Sequence, residues 1–279
     1  MNRLLLAELY KVLTTKLWWV LLIPVVVIAG AIGFTGAAIA DLPAVLEETG
    51  TSAPAVALTL PISMKQATVF ALILGLIGGA GEFRHKTITT TYLTGSSRGT
   101  VLAAKVITYA GLGLLYGVAT FAFCALGALA SSGTDSFPSA ADTLAIAAAG
   151  CAAVIMWSVL GVGIGTLASN QVVVLIVALV YTLFFEGLLS LVLRIPRLGL
   201  DGVPPYLPGS GSEALQTDHG ITTFARTFGE EAFVVRGGLE ALVGTSGQLS
   251  WLAGGVLFAG YTAAFVAGGW LAGRQRDIT

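Results

Sequence analysis

Only 10% of these 279 residues are charged, so the side chains able to do ionic chemistry stand out. The densest set is Gly81-Glu82-Phe83-Arg84-His85-Lys86-Thr87, where an acid, a guanidinium, an imidazole and an ammonium lie side by side between apolar runs. The stretch continues through a Thr-rich piece to Ser97-Arg98, and Lys105 follows in the next run. Such a segment at a membrane face suits charge pairing with a soluble partner; the alternative is a solvated loop that only holds topology. It is not a phosphate cradle, which needs G-x-x-x-x-G-K-[ST]. Lys86-Thr87 follows His85 rather than Gly, and no strand leads into it.

A second candidate is Glu186, in Phe184-Phe185-Glu186-Gly187. A carboxylate inside a membrane span is costly and often functional. Two readings stay open. Glu186 gates the outer end of a path or contacts a cationic substrate, or it is a structural acid neutralised through water by Arg194, eight residues on. Cys124 and Cys151 lie in apolar runs without a nearby His or Asp, so both read as buried inert thiols. His85 and His219 have no partner at metal-ligand spacing, and nothing resembles a nucleophile elbow. No metal site and no catalytic residue are expected, and the chain is not expected to be an enzyme by itself.

These residues must be held by membrane helices. The chain is 56% hydrophobic with 36 glycines, whereas a soluble domain carries about 25% charged residues. A spanning helix needs about 20 apolar residues. The runs predict six, at about 17–40, 62–80, 100–130, 142–168, 172–193 and 251–272. Residues 1–16 predict an amphipathic interfacial helix, with Leu6, Leu9, Tyr10, Leu13 and Leu17 on one side and Arg3, Glu8, Lys11 and Lys16 on the other. Ala38-Ile39-Ala40 looks like a signal-peptidase site, but the apolar run is too long and the leader is amphipathic. Within 194–250, the first half reads as loop, broken by Pro196, Pro204, Pro205, Pro208 and several glycines. The second half, 221–243, reads as one amphipathic helix with Phe224, Phe228, Val235, Leu239 and Leu242 on one side. Gly113-x-x-x-Gly117, Gly161-x-x-x-Gly165 and Gly269-x-x-x-Gly273 predict close helix contacts, within the bundle or between two copies.

Orientation follows the basic residues of short loops. With the amino terminus inside, Arg3, Lys11, Lys16, Arg84, Lys86, Arg98, Lys105, Arg274 and Arg276 face only Glu8, Glu82 and Asp277. Outside, Lys65, Arg194, Arg197, Arg226 and Arg236 are outnumbered by acids from Asp41 to Glu240. Both termini are expected to be cytoplasmic, with a tail at 273–279. The net charge of −1 by itself points neither way about nucleic acid, and no nucleic-acid partner is expected.

The segment joining the second and third spans resembles that of the ABC-2 type permease family. Glu82, Arg84, Thr87, Leu93, Ser97, Arg98 and Lys105 fall on the family's acidic-basic segment, Gly-Thr-like pair, short helix and Ser-Arg before a Lys. Where the family has Gly before the Thr and Pro before the Ser-Arg, this chain has Lys86 and Gly95. The resemblance implies an all-α membrane protein of type V exporter-like architecture, with 81–99 as a cytoplasmic coupling loop and 194–250 as an extracytoplasmic segment. It implies pairing with a second permease copy, identical or not, and docking on a separate ABC ATPase that binds ATP and Mg. Glu82, Phe83, Arg84, His85, Lys86, Thr87 and Arg98 would then form the ATPase-coupling site. It further implies a bacterial cytoplasmic-membrane exporter of a hydrophobic or amphipathic molecule such as a drug-like compound. An ATP-independent carrier or a membrane scaffold is the reading of another class.

Overall fold

A computed structural model describes residues 2–42, 53–84, 97–168, 170–243 and 249–275, and every regular element among them is helical. We number the α-helices α1 (Asn2–Thr14), α2 (Leu17–Ala40), α3 (Val56–Arg84), α4 (Arg98–Ser132) and α5 (Ala140–Leu167). They continue as α6 (Gln171–Val180), α7 (Glu186–Leu193), α8 (Pro208–Ala225), α9 (Ala232–Val243) and α10 (Trp251–Gln275). A π-helical turn, Tyr181–Phe185, joins α6 to α7 into one span. Six helices are thus long and apolar enough to cross a membrane: α2, α3, α4, α5, α6 with α7, and α10.

Small residues bring the spans together, as expected where lipid is as apolar as leucine and only close packing and hydrogen bonds favour association. The tightest contact joins α3 to α5. A Cβ on Gly79 would stand 2.5 Å from the Val162 carbonyl oxygen and 3.0 Å from the Gly165 Cα, and one on Gly75 would collide with the Ser158 carbonyl. Gly161-x-x-x-Gly165 therefore faces Gly75-x-x-x-Gly79 inside one chain. Gly113 and Gly117 lie against Ile155 and Cys151 of α5, and Gly269 lies against Thr166. A Cβ on Gly273 would meet nothing within 4 Å. Leu60, Met64, Leu72 and Leu76 of α3, Ile146 and Val154 of α5, and Tyr116 of α4 fill the core between these contacts. The Tyr116 hydroxyl donates to the Trp18 carbonyl at 2.5 Å, tying α4 to the first turn of α2.

Three sequence expectations fail. The second span begins at Val56, not near residue 62, because Pro61 lies inside the helix. Proline removes the bond to the carbonyl four residues back, and the freed Ala57 carbonyl sits where Gly220 of α8 packs, so a Cβ there would collide with it. Lys65, counted as an outer-loop cation, consequently lies nine residues into a spanning helix. The stretch 194–220 is also not all loop. α8 starts at Pro208, and proline at the first helical position has its φ pre-set and needs no N–H there. The helix expected over 221–243 is instead two helices, broken at Gly229, whose φ of 57° suits glycine.

α8 is not a surface cover. Gly211, Ser212, Ala214, Leu215, Gln216 and Gly220 are all buried, packed among α3, α5 and α10. Gly254 of α10 makes room for it: a Cβ there would stand 2.6 Å from the Ala214 Cβ.

Candidate functional site

At the end of the bundle that carries residues 84 and 98, α3 runs on through Glu82, Phe83 and Arg84 as its last turn. His85, Lys86 and Thr87 lie outside the described residues. Arg98 is the first residue of α4, and Ser97 is its N-cap, with its side chain accepting from the Thr100 N–H at 3.2 Å. Lys105 is 5% exposed, and its Nζ lies 2.8 Å from Oε2 of Glu8, itself 4% exposed. The other carboxylate oxygen of Glu8 takes Lys11 Nζ at 2.7 Å. Glu8, expected on the polar face of α1, instead faces the bundle with Val12, while Leu6, Leu9, Tyr10 and Leu13 are exposed. Breaking such a buried pair at one partner leaves an uncompensated charge and typically costs about 3–5 kcal/mol. α1 is therefore fixed to the first two turns of α4.

In the other half of the bundle, Glu186 stands directly after the π-turn and is 7% exposed. Its Oε1 accepts the Ser210 N–H at 3.0 Å, and the Gly209 N–H and the Tyr181 hydroxyl lie beside the carboxylate. A Cβ on Gly209 would stand 2.7 Å from both carboxylate oxygens, so glycine is what admits the acid to the backbone. The first N–H groups of a helix lack internal partners and carry partial positive charge. Glu186 thus caps α8 from a different helix. Arg194 Nε reaches Ser190 Oγ at 3.5 Å.

Lys65 of α3 pairs with Glu213 of α8 and is the cation whose field reaches Glu186. Below them, Trp157 Nε1 donates to Ser212 Oγ at 2.7 Å and Gln216 Nε2 donates to the same oxygen at 2.9 Å. The Gln216 Oε1 is buried without a hydrogen-bond partner. Trp157 stacks at a tilt on Phe258 of α10, with ring centroids 5.0 Å apart.

An outer set of charges closes the same end. His219 Nε2 lies 3.2 Å from Asp142 Oδ1, and Ser139 caps α5 by accepting the Asp142 N–H at 3.1 Å. Arg236 of α9 reaches Asp218 at 2.8 Å and Glu240 at 2.7 Å, and Asp218 also accepts the Trp251 N–H at the start of α10. The Glu240 carboxylate, with Asp218 beside it, raises the guanidinium pKa of Arg236 further above its ordinary value.

The sequence singled out Glu186 but missed Lys65, Glu213, Ser212 and Gln216. The signal for Lys65 was available: Val56–Leu60 is apolar and continuous with the run beyond Pro61. Glu213, Ser212 and Gln216 lay in a stretch whose glycines read as loop. Among the described residues no group of three or more His, Cys, Asp and Glu is placed to hold a metal ion. Cys124 is buried with its Sγ 3.9 Å from Thr59 Oγ1, and Cys151 lies against Gly117. No protein-family model matches the chain, and no curated protein matches it.

Proposed function

We propose that the chain is the membrane-spanning subunit of an ABC-2-like exporter in a bacterial cytoplasmic membrane. Two copies, or this chain and a related one, work with two separate ABC ATPases that bind ATP and Mg. The cargo is a hydrophobic or amphipathic molecule, and it crosses along faces of the second and fifth spans. The observation that carries the reading is the joint between α3 and α4. One side of residues 85–96 is a helix extended beyond its apolar stretch to Arg84. The other side is the start of α4, capped by Ser97 and held to α1 by the buried Glu8–Lys105 pair. A force applied at Arg84 or at the start of α4 would therefore reach helices that are anchored in the bundle. The resemblance of 82–105 to the permease family supplies the direction of that force, from a cytoplasmic motor.

The test is ATP hydrolysis by the co-purified ATPase, with the intact chain and with 82–87 replaced by Gly and Ser. Loss of stimulated hydrolysis is expected, and unchanged coupling counts against docking. Cysteine labelling at position 84 from the external side overturns the orientation and the exporter reading with it.

One observation favours an ATP-independent carrier. Such carriers place binding sites at helices interrupted within the membrane, and the fifth span is interrupted by the π-turn immediately before its buried acid. Substrate flux in vesicles that contain the chain and no ATPase would select that reading.

A further inference from the structure

α3 is covered by its neighbours on every side but one. Most of the residues left open or half-open recur at helical spacing: Leu58, Ile62, Lys65, Gln66, Val69, Phe70, Ile73 and Ile77. Polar character is confined to Lys65 and Gln66, and the remainder of the stripe is apolar. Lys65 lies nine residues, about 14 Å at about 1.5 Å per residue, below the outer end of α3. An ammonium facing bare hydrocarbon at such depth is strongly disfavoured, and intramembrane charges face bundle interiors or water-filled cavities instead. The fifth span shows the contrast: its fully exposed side chains, among them Val173, Ile176, Val177, Val180, Leu183 and Leu188, are all apolar, and its half-open polar residues carry no charge within the span.

The three charges around Lys65 differ in access. Glu186 is committed to the α8 N-terminus and is 7% exposed. The Glu213 side chain is 19% exposed, and that of Lys65 is 55% exposed. An ammonium has three donors, and Glu213 takes one. The charge a ligand can reach is therefore positive.

We propose that the open stripe of α3 binds an anionic amphiphile. Its phosphate or carboxylate head sits on Lys65 in exchange for Glu213, and its tail runs along Val69, Ile73 and Ile77. This names the cargo class of the exporter reading and rests on that reading for its transport role, but binding itself needs neither ATP nor an ATPase. The exchange makes Glu213 an internal competitor. Removing it frees the ammonium, so the two members of one ion pair have opposite effects on the ligand.

The experiment uses the full chain in phosphatidylcholine nanodiscs and measures saturable binding of labelled dodecyl phosphate above empty discs. Lys65→Gln is expected to weaken binding about tenfold or more, the scale of one charge-assisted contact. Lys65→Arg is expected to retain binding. Glu213→Gln is expected to tighten it several-fold, which a folding defect would not do. Inorganic phosphate is expected to compete poorly, because it brings no tail, and dodecyltrimethylammonium is expected not to compete. Absence of saturable binding, equal competition by the cationic amphiphile or by inorganic phosphate, or weakening by Glu213→Gln overturns the proposal. Failure of the ATPase-coupling test leaves this binding in place, and failure of this binding leaves the coupling test standing.

Discussion

The second and fifth spans are both apolar helices of membrane-crossing length, yet 61% of the second is buried within the chain and 6% of the fifth. Hydropathy does not separate them in the expected direction, since the fifth is the more apolar. Composition does. α3 carries Gly75, Gly78 and Gly79 with Thr59, Ser63 and Thr68, all small. The fifth span carries mainly Val, Leu, Ile and Phe, and a Cβ on Gly187 would meet nothing within 4 Å. In lipid, an apolar side chain gains little by moving from acyl chains to protein, whereas a small residue lets two backbones approach. Between these two spans, burial follows glycine and hydroxyl content, and the more apolar helix is the less buried.

The largest effect is expected where that rule acts most directly. Gly75→Leu places a side chain into the Ser158 carbonyl and the Gly161 Cα, both backbone, so neither can rotate away. Overpacking costs about 1–3 kcal/mol where side chains can shift, and here the loss should reach or exceed about 3 kcal/mol. Denaturant unfolding in detergent micelles checks it. A loss near zero would show that α3 and α5 do not pack through these glycines.

A second prediction concerns the polar cap through which the fifth span is fastened to α8. Glu186→Ala removes a carboxylate that accepts the Ser210 N–H and lies beside the Gly209 N–H and the Tyr181 hydroxyl. A hydrogen bond to a charged group contributes about 1.5–3 kcal/mol, and the orphaned amides add desolvation. A destabilisation of about 2 kcal/mol is expected, with faster amide exchange confined to the first turn of α8. Glu186→Gln should retain part of the cap. Unchanged exchange at Gly209 and Ser210 would mean that α8 holds its start without the fifth span.

Trp157→Phe tests the buried polar contact on the other side of α8. The ring stacking on Phe258 is kept and the Nε1 donor to Ser212 is lost. About 1 kcal/mol is expected, the net value of one neutral hydrogen bond. An effect of several kcal/mol would show that the orphaned Gln216 Oε1 depends on the same network.

How much of this was legible follows from the same physics. Six spans were readable because each is an apolar run of the needed length, and Leu17–Ala40 matches its expected ends. Asn170 reads as a turn and is the N-cap of α6, accepting from Val172 and Val173. α8 was not legible. Gly209, Gly211 and Gly220 read as helix breakers, but in a membrane bundle the same residues are contact points against Glu186, Gly254 and Ala57. Lys65 counts with the outside cations when Pro61 is taken as the helix boundary, only three residues into the expected span; the helix that starts at Val56 puts it nine residues in. The deep carboxylate of Glu186 could be found from sequence, but its partners could not. They are backbone amides of a helix more than twenty residues away, and backbone amides leave no trace in composition. The motif around Ser97 and Lys105 acquires local reasons, a cap and a buried ion pair, which hold whatever docks at 85–96.

The smallest effect is the sharpest control on the comparison. Gly187→Leu adds four carbons to the fifth span at a position where nothing lies within 4 Å and the backbone is ordinary helix. If this face meets lipid, the new side chain exchanges one apolar neighbour for another, and helix propensity favours leucine over glycine by roughly 0.5–1 kcal/mol. The variant should unfold at the same denaturant concentration as the parent or a slightly higher one. A clear loss in stability would mean that the open face of α7 is covered by protein, which would make it an interface between chains. The difference between Gly75→Leu and Gly187→Leu, one residue type changed to the same residue in two spans, isolates close backbone approach from hydrophobicity.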